Sequence, residues 1–322
     1  MLVCCTDRGA PPHQLCGTMG RHDRSSLDVE DQRMRLVTYR DIGQVRIGAI
    51  DGDQIIALDT VAPDMLSLID RGEEGLARAR TALERRERTT PLASVQVLAP
   101  IPRPRQNVVC LGMNYVAHAI ESDRARGREP RLPEFPVFFT KAAHTVCNPG
   151  DEIPLDPQVT SELDYEVEFA FIIGRAGKNI AREDALDHVF GYTIINDISA
   201  RDLQSRHQQF FKGKSLDRSC PMGPVIVTAD EIPDPARLGI RLRLNGETRQ
   251  DSHTGDLIFD IPAIIAYYSL GTTLEPGMLF ATGTPAGVGL GRTPPEYLRP
   301  GDVMEAEIDG IGVLKNHVVA AT

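Results

Sequence analysis

The chain has 322 residues, 41% hydrophobic and 25% charged, enough apolar material for a sizeable core. Its net charge of −10 is a poor match for nucleic acid, which selects clustered Lys and Arg, and no apolar run approaches the roughly 18 residues of a membrane helix. The six cysteines, Cys4, Cys5, Cys16, Cys110, Cys147 and Cys220, have neither zinc-ribbon nor disulfide-framework spacing, so free thiols in a reducing, cytoplasmic compartment are expected.

Residues 1–33 are polar, lack hydrophobic periodicity and lack the apolar stretch of a secretory signal. They read as a disordered N-terminal extension, with Met34 an alternative start and docking on a partner the other use of such a segment. Strand-like patterning begins at Met34. Asp51-Gly52-Asp53 marks a hairpin between residues 45–50 and 54–58. Residues 64–70 and 73–88 look helical, with the charge run at 84–88 a solvated face, and residues 95–98 read as a closing strand. Alternating prolines at Pro100, Pro102 and Pro104 suit neither a central strand nor a helix interior. They place a boundary between a small N-terminal domain, 34–104, and a larger domain, 105–322.

In the larger part, residues 108–111 read as a buried strand, 115–121 as the start of a short helix, and 122–134 as a loop crowded with charge, Gly and Pro. That loop is either a lid or a surface insertion. Strands are expected at 165–173, 190–196, 224–227, 240–245, 278–281, 303–308 and 312–319, with a hairpin turn at Asn245-Gly246. From Asp164 on, helices are few: 183–189, 200–208 and 262–270. Without a βαβ alternation, the fold class is a β-rich α+β protein rather than a doubly wound sheet.

Three stretches carry candidate chemistry. In Asp164-Tyr165-Glu166-Val167-Glu168, strand alternation puts Glu166 and Glu168 on one face, which continues apolar at Ala170 and Ile172. Two carboxylates there repel and lose hydration; exposure, pairing with Lys or Arg, or a metal ion each relieves this. A second strand ends at Asn196-Asp197, where Asp197 either caps the following helix or adds a third oxygen ligand. All-oxygen ligation suits hard cations such as Mg²⁺, Mn²⁺ or Ca²⁺. His118 and Glu121, at i and i+3 of the short helix, form either a surface ion pair or an imidazole base oriented by a carboxylate.

Two glycine-rich stretches need separate readings. Gly213-Lys214-Ser215 is not a P-loop, because Gln208 stands where that motif needs its first glycine. The stretch from Thr282 to Gly289 is either a tight turn or a set of backbone N–H groups offered to a carboxylate.

In order, the chain carries Cys-Leu-Gly-Met-Asn-Tyr-x-x-His at 110–118, Phe-Phe-Thr-Lys at 138–141, Asp-Tyr-Glu-Val-Glu at 164–168 and Gly-Tyr-Thr-Ile-Ile-Asn-Asp at 191–197. Ser-Ala-Arg-Asp-Leu-Gln at 199–204, Gly-Lys-Ser at 213–215, Cys-Pro-Met-Gly-Pro at 220–224 and Thr-Gly-Thr-Pro-Ala-Gly-Val-Gly at 282–289 follow. This series resembles the fumarylacetoacetate hydrolase family, including its two-domain acylpyruvate hydrolases and 2-hydroxyhepta-2,4-diene-1,7-dioate isomerases. It covers about residues 105–320.

The resemblance implies a mixed β-sandwich or roll as catalytic domain, usually homodimeric, with Mg²⁺ or Mn²⁺ on Glu166, Glu168 and Asp197. It assigns His118, Glu121 and Lys214 to catalysis, and Arg201, Gln204 and Thr284 to a small 2-oxo acid substrate. The implied reaction is metal-dependent hydrolysis of a carbon–carbon bond in an acylpyruvate-type β-diketo acid, giving pyruvate and a carboxylic acid. Isomerisation, decarboxylation or hydration of a 2-oxo diacid from aromatic catabolism is the alternative for the same site. A non-catalytic binding protein is the distant competitor, set aside because every ligand and dyad position carries the expected residue type.

Overall fold

Alternation of apolar side chains shapes the first elements of the computed structural model, which describes residues 34–321. The extension expected over 1–33 lies outside the described residues. Strands β1 (Arg35–Asp41), β2 (Gln44–Asp51) and β3 (Gln54–Ala57) form a meander. The turn at Gly52 joins β2 to β3 at φ 60°, a left-handed conformation glycine adopts without steric cost. Helix α1 (Met65–Asp70) is capped by Asp64, which accepts from the Ser67 N–H, and α2 (Gly72–Arg85) follows. Short strands β4 (Thr89–Pro91) and β5 (Gln96–Leu98) return to β3 and β1.

Beyond the prolines come β6 (Val108–Gly112), α3 (Val116–Ala125), β7 (Val137–Lys141), β8 (Val146–Cys147) and β9 (Glu152–Leu155). Next are β10 (Leu163–Asp164), β11 (Val167–Ile173), β12 (Val189–Asn196), β13 (Ser199–Ala200), α4 (Arg201–Arg206), α5 (Phe211–Lys214) and β14 (Cys220–Thr228). The chain ends through β15 (Gly239–Leu244), β16 (Glu247–His253), α6 (Ile261–Tyr268), β17 (Leu279–Ala281), β18 (Val303–Ile308) and β19 (Gly312–Ala320).

Three expectations change. The helix expected at 183–189 is a 3₁₀ segment, Arg182–His188. Helix α3 runs to Ala125, so the first residues of the expected loop are helical. Strand β11 starts at Val167, leaving Glu166 just outside it.

The strands assemble into a 12-stranded sheet with the path β4-β3-β2-β1-β14-β12-β11-β17-β6-β7, and a five-stranded sheet ordered β16-β15-β18-β19-β9. Most pairs are antiparallel; β17–β6, β14–β8 and β19–β9 are parallel. The β-rich α+β class holds. The boundary expected near 104 falls between β5 and β6, which belong to the same sheet because β1 pairs with β14.

Both faces of the large sheet are covered, which is why β11 is buried throughout. Its Val167, Phe169, Phe171 and Ile173 join Ile240, Leu242, Met304 and Ala306 of the five-stranded sheet in one core. Ala170 and Ile172 point the other way, into a second core with Met65, Leu68, Leu76 and Ala79 of α1 and α2. Full burial of each large side chain contributes about 1.5–3 kcal/mol.

Candidate active site

The site lies where β6, β12 and β17 end and β11 begins. Antiparallel pairing sets Val167 opposite Asn196 and Glu168 opposite Ile195, so the start of β11 meets the end of β12. Two hydrogen bonds lock this junction: the Glu166 N–H donates to Asn196 Oδ1 at 3.0 Å, and the Asp197 N–H donates to the Glu166 carbonyl at 2.8 Å. Asp197 is therefore not a helix cap, since α4 begins after Ala200. Its carboxylate turns inward with those of Glu166 and Glu168, each offering an oxygen within 4.8 Å of the others, all buried.

Bases surround two of the three carboxylates. Lys214 Nζ bridges Glu166 Oε2 and Asp197 Oδ2, at 2.7 Å to each. Arg201 Nη1 reaches Glu166 Oε1 at 2.6 Å while its Nε reaches Asp164 Oδ2 at 2.8 Å. Lys141, fully buried, donates to Asp197 Oδ1 at 2.6 Å and to the Ile198 and Lys214 carbonyls. Glu168 differs: among the described residues it has no basic partner and accepts only the Gly283 N–H, at 2.9 Å.

Electrostatics follow this asymmetry. Burial pushes Glu166 upward, but the charges of Lys214 and Arg201 outweigh it and hold its carboxyl well below the usual carboxylate range. Burial, with the charges of Asp197 and Glu166, drives Glu168 well above that range. Burial works against the Lys214 ammonium and the Arg201 guanidinium too, yet the carboxylates beside them hold both above their ordinary values. An all-oxygen set with one carboxylate lacking a counter-charge fits a hard divalent cation. Mg²⁺ and Mn²⁺ both match that donor chemistry.

The His118–Glu121 pair faces the same cleft. His118 is 7% exposed, and its Nδ1 lies 3.3 Å from Glu121 Oε2, so this is not a surface ion pair. Glu121 is itself held by the Gly287 N–H, at 3.0 and 3.2 Å to its two oxygens. With the carboxylate accepting from Nδ1–H, Nε2 is the ring nitrogen left for proton transfer.

The glycine-rich stretch after β17 offers N–H groups to carboxylates, and those carboxylates are the protein's own. Gly283 donates to Glu168, Gly287 to Glu121, and Gly289 to Asp164 at 2.7 Å. Gly287 has φ +105°, and a Cβ there would lie 2.0 Å from the Arg249 carbonyl oxygen. Gly213 is constrained differently: a Cβ would sit 2.6 Å from the Gln204 nitrogen, so glycine lets α5 approach α4 and seats Lys214.

The remaining expected residues converge here. Gln204 Oε1 accepts from Arg201 Nη1 at 3.1 Å, and Thr284 Oγ1 accepts from Gln250 Nε2 at 2.7 Å. His118, Glu166, Glu168, Arg201, Gln204, Lys214 and Thr284 all line one cleft, with Glu121 and Asp197 directly behind them. The cleft is narrow, about 30 Å³. Met113, at its mouth, adopts the left-handed φ of 58°, strain of the kind that collects at working sites.

Several contributors were not singled out from sequence. Asp164 and Lys141 brace the charged cluster, Gln250 fixes Thr284, and Arg126 enters the cleft from the end of α3. Lys141 ends a strand that begins Val-Phe-Phe and is its one buried residue. Cys110, Cys147 and Cys220 are free and buried; burial pushes the Cys220 thiol up to about 12, so it is not a thiolate nucleophile.

A buried carboxylate triad that could hold a divalent cation thus sits beside a His–Glu dyad and a lysine. Residues 107–319 match the family described as fumarylacetoacetate (FAA) hydrolase C-terminal, and the chain belongs to that family. It is 47% identical over 273 residues to the oxaloacetate tautomerase YisK of Bacillus subtilis (strain 168), covering 82% of this chain and 89% of the relative. Among solved structures it resembles the fumarylacetoacetate hydrolase of psychrophilic Exiguobacterium antarcticum, at 42% identity and TM-score 0.77, covering 89% of this chain and 100% of that one. It also resembles the maleylpyruvate hydrolase of Sphingobium sp. SYK-6 in complex with manganese(II) and pyruvate, at 33% identity and TM-score 0.73, covering 90% and 100%. Among the described residues no helix is long and apolar enough to cross a membrane.

Proposed function

We propose that the chain interconverts the enol and keto forms of a small 2-oxo dicarboxylate of the oxaloacetate type, with Mg²⁺ or Mn²⁺ held by Glu166, Glu168 and Asp197. The observation that carries this reading is the meeting of one proton-transfer residue, His118, with Lys214 and Arg201 in a single small cleft. A bound divalent cation would supply Lewis acidity toward the 2-oxygen of the substrate. Arg201, Gln204 and Thr284 orient the 2-oxo acid end. The enol proton leaves its oxygen for solvent, and Lys214 stabilises the negative charge left there. His118, its ring fixed by Glu121, delivers a proton to the neighbouring carbon through Nε2, and solvent restores the ring. The C=C bond becomes single and the C–O bond double, but no σ bond between heavy atoms is made or broken, so the cleft need not seat an attacking water beside the substrate. The 47% identity to an oxaloacetate tautomerase supports the same reading.

Hydrolysis of an acylpyruvate is the second reading, supported by the likeness to the maleylpyruvate hydrolase that holds manganese and pyruvate. There His118 would take a proton from water, hydroxide would add to the distal carbonyl, and the carbon–carbon bond would break to give pyruvate and a carboxylic acid.

The test is incubation with Mg²⁺ or Mn²⁺ and a panel of enolised 2-oxo diacids and acylpyruvates, followed by NMR. Accelerated enol-to-keto conversion without fragments, abolished by EDTA, is the expected result. Cleavage of acylpyruvates, with enol decay no faster than the uncatalysed rate, would transfer the assignment to the hydrolase.

A further inference from the structure

The cations of the cleft are not equally compensated. Arg201 is neutralised by Asp164 and Glu166, and Lys214 by Glu166 and Asp197. Arg126 forms no ion pair among the described residues. Its guanidinium meets only neutral acceptors: Nη1 donates to Ser122 Oγ, and Nη2 to Gln204 Oε1 at 3.3 Å. The group is half-buried, and burial together with the nearby Arg201 charge lowers its pKa, as expected of a cation short of counter-charge.

A second observation lies beside it. Gln204 Oε1 accepts from Arg126 and Arg201 together, so the two guanidinium groups flank one amide oxygen. Arg201 also keeps a buried nitrogen, Nη2, with no hydrogen-bond partner. A guanidinium without a counter-charge and a donor without an acceptor thus both lie beside Gln204 in the cleft. On the far side of Met113 a larger cavity, about 570 Å³, is lined by Arg128 and Arg131 but also by Asp123 and Glu129. Its charges balance, so it confers no preference for an anion, whereas Arg126 does.

We propose that Arg126 is the specificity-determining residue that reads the second carboxylate of the substrate, making the site selective for 2-oxo dicarboxylates over 2-oxo monocarboxylates. This rests on the proposed function and narrows it. A guanidinium presents a planar fork of donors that matches a carboxylate, and Ser122 and Gln204 hold that fork without consuming its charge. The 2-oxo acid end lies against Arg201 and Lys214, and the distal carboxylate supplies the counter-charge that Arg126 lacks. The fork sits at the end of the helix that carries His118 and Glu121, so distal-carboxylate binding and the proton-transfer dyad share one rigid element.

The test compares wild type, R126Q and R126K, each loaded with Mn²⁺, in two measurements. Steady-state kinetics use oxaloacetate enol against the enol of a 2-oxo monocarboxylate such as phenylpyruvate. Calorimetry uses oxalate, which occupies the 2-oxo acid end and has no distal carboxylate. For R126Q, KM for the diacid should rise about 10- to 100-fold, the diacid-to-monoacid ratio of kcat/KM should fall by a similar factor, and oxalate affinity should stay within about 3-fold. R126K, which keeps the charge but not the fork, should fall between. A diacid KM unchanged in R126Q overturns the assignment, as does loss of oxalate and diacid binding together, which marks a structural role. A wild type that neither binds oxalate nor turns over any enol overturns the proposed function, and the role of Arg126 with it.

Discussion

On the five-stranded sheet, Arg241, Arg243 and Lys315 meet Glu305, Glu307 and Asp309 at 2.6–3.5 Å. Beneath the cleft, Lys141, Lys214 and Arg201 meet Asp164, Glu166 and Asp197 at 2.6–2.8 Å. The residue types are the same and the distances overlap. Exposure separates the two clusters: side chains of the first are 26–62% exposed, those of the second at most 5%. Water and salt screen the outer ladder, so each pair there adds little. In the buried cluster no charge can be left without a partner cheaply, and one, Glu168, is. Charge in a folded chain thus marks function when it is buried and incompletely balanced, not when it is abundant.

That contrast can be broken by substitution. The largest effect is expected for His118→Ala, which should lower kcat for enol–keto conversion by about 10²–10⁴-fold while Mn²⁺ affinity is retained. Steady-state rates and a parallel Mn²⁺ titration check it, and near-wild-type turnover would remove the dyad from the scheme. Lys141→Met should destabilise the fold by about 3–5 kcal/mol in chemical denaturation, because Asp197 Oδ1 and two carbonyls lose a buried donor. A cost under about 1 kcal/mol would mean the buried cluster behaves like the exposed one.

A smaller loss of kcat than in His118→Ala is expected for Glu121→Gln, which keeps an acceptor for the Gly287 N–H but weakens the hold on the imidazole. Equal losses in the two variants would show the carboxylate acting as more than an orienting group.

The smallest effect belongs to the outer ladder. Glu305→Gln should cost less than about 1 kcal/mol near neutral pH, and less still in high salt. Lys315, then Arg243, holds the Glu305 carboxyl below its ordinary range against a weaker opposing effect of burial. Its stabilisation is therefore present above the unfolded carboxylate pKa and lost as pH falls through the lower folded value. Wild type and variant should converge in acid, and denaturation curves across that range measure it.

Much of this was legible in the sequence. Glu168 stands out because a carboxylate interrupts an apolar strand, Glu166 because it directly precedes that strand, and Asp197 because it directly follows another. Their convergence follows from the antiparallel pairing of those two strands. The order of motifs implied His118, Lys214, Arg201, Gln204 and Thr284 as site residues, and the structure brings all five to one cleft.

What escaped was set by distance along the chain or by weak local signals. The grip of Gly287 on Glu121 spans 166 positions, and that of Asp164 on Arg201 spans 37. Strand β16 alternates little, since its sequence Glu-Thr-Arg-Gln-Asp-Ser-His is polar on both faces, and β8, β10 and β13 are two residues long. Arg126 lies in the charge-rich stretch that reads as a lid or a surface insertion, and only the extension of α3 to Ala125 reveals that it reaches the cleft.

The most direct measurement is a calorimetric titration of wild type and Glu168→Ala with Mn²⁺. One equivalent bound per chain by wild type, with no saturable binding by the variant, is the expected result. Wild type that takes up no Mn²⁺, or a variant that binds it as tightly, would contradict the cation site on which the proposed chemistry depends.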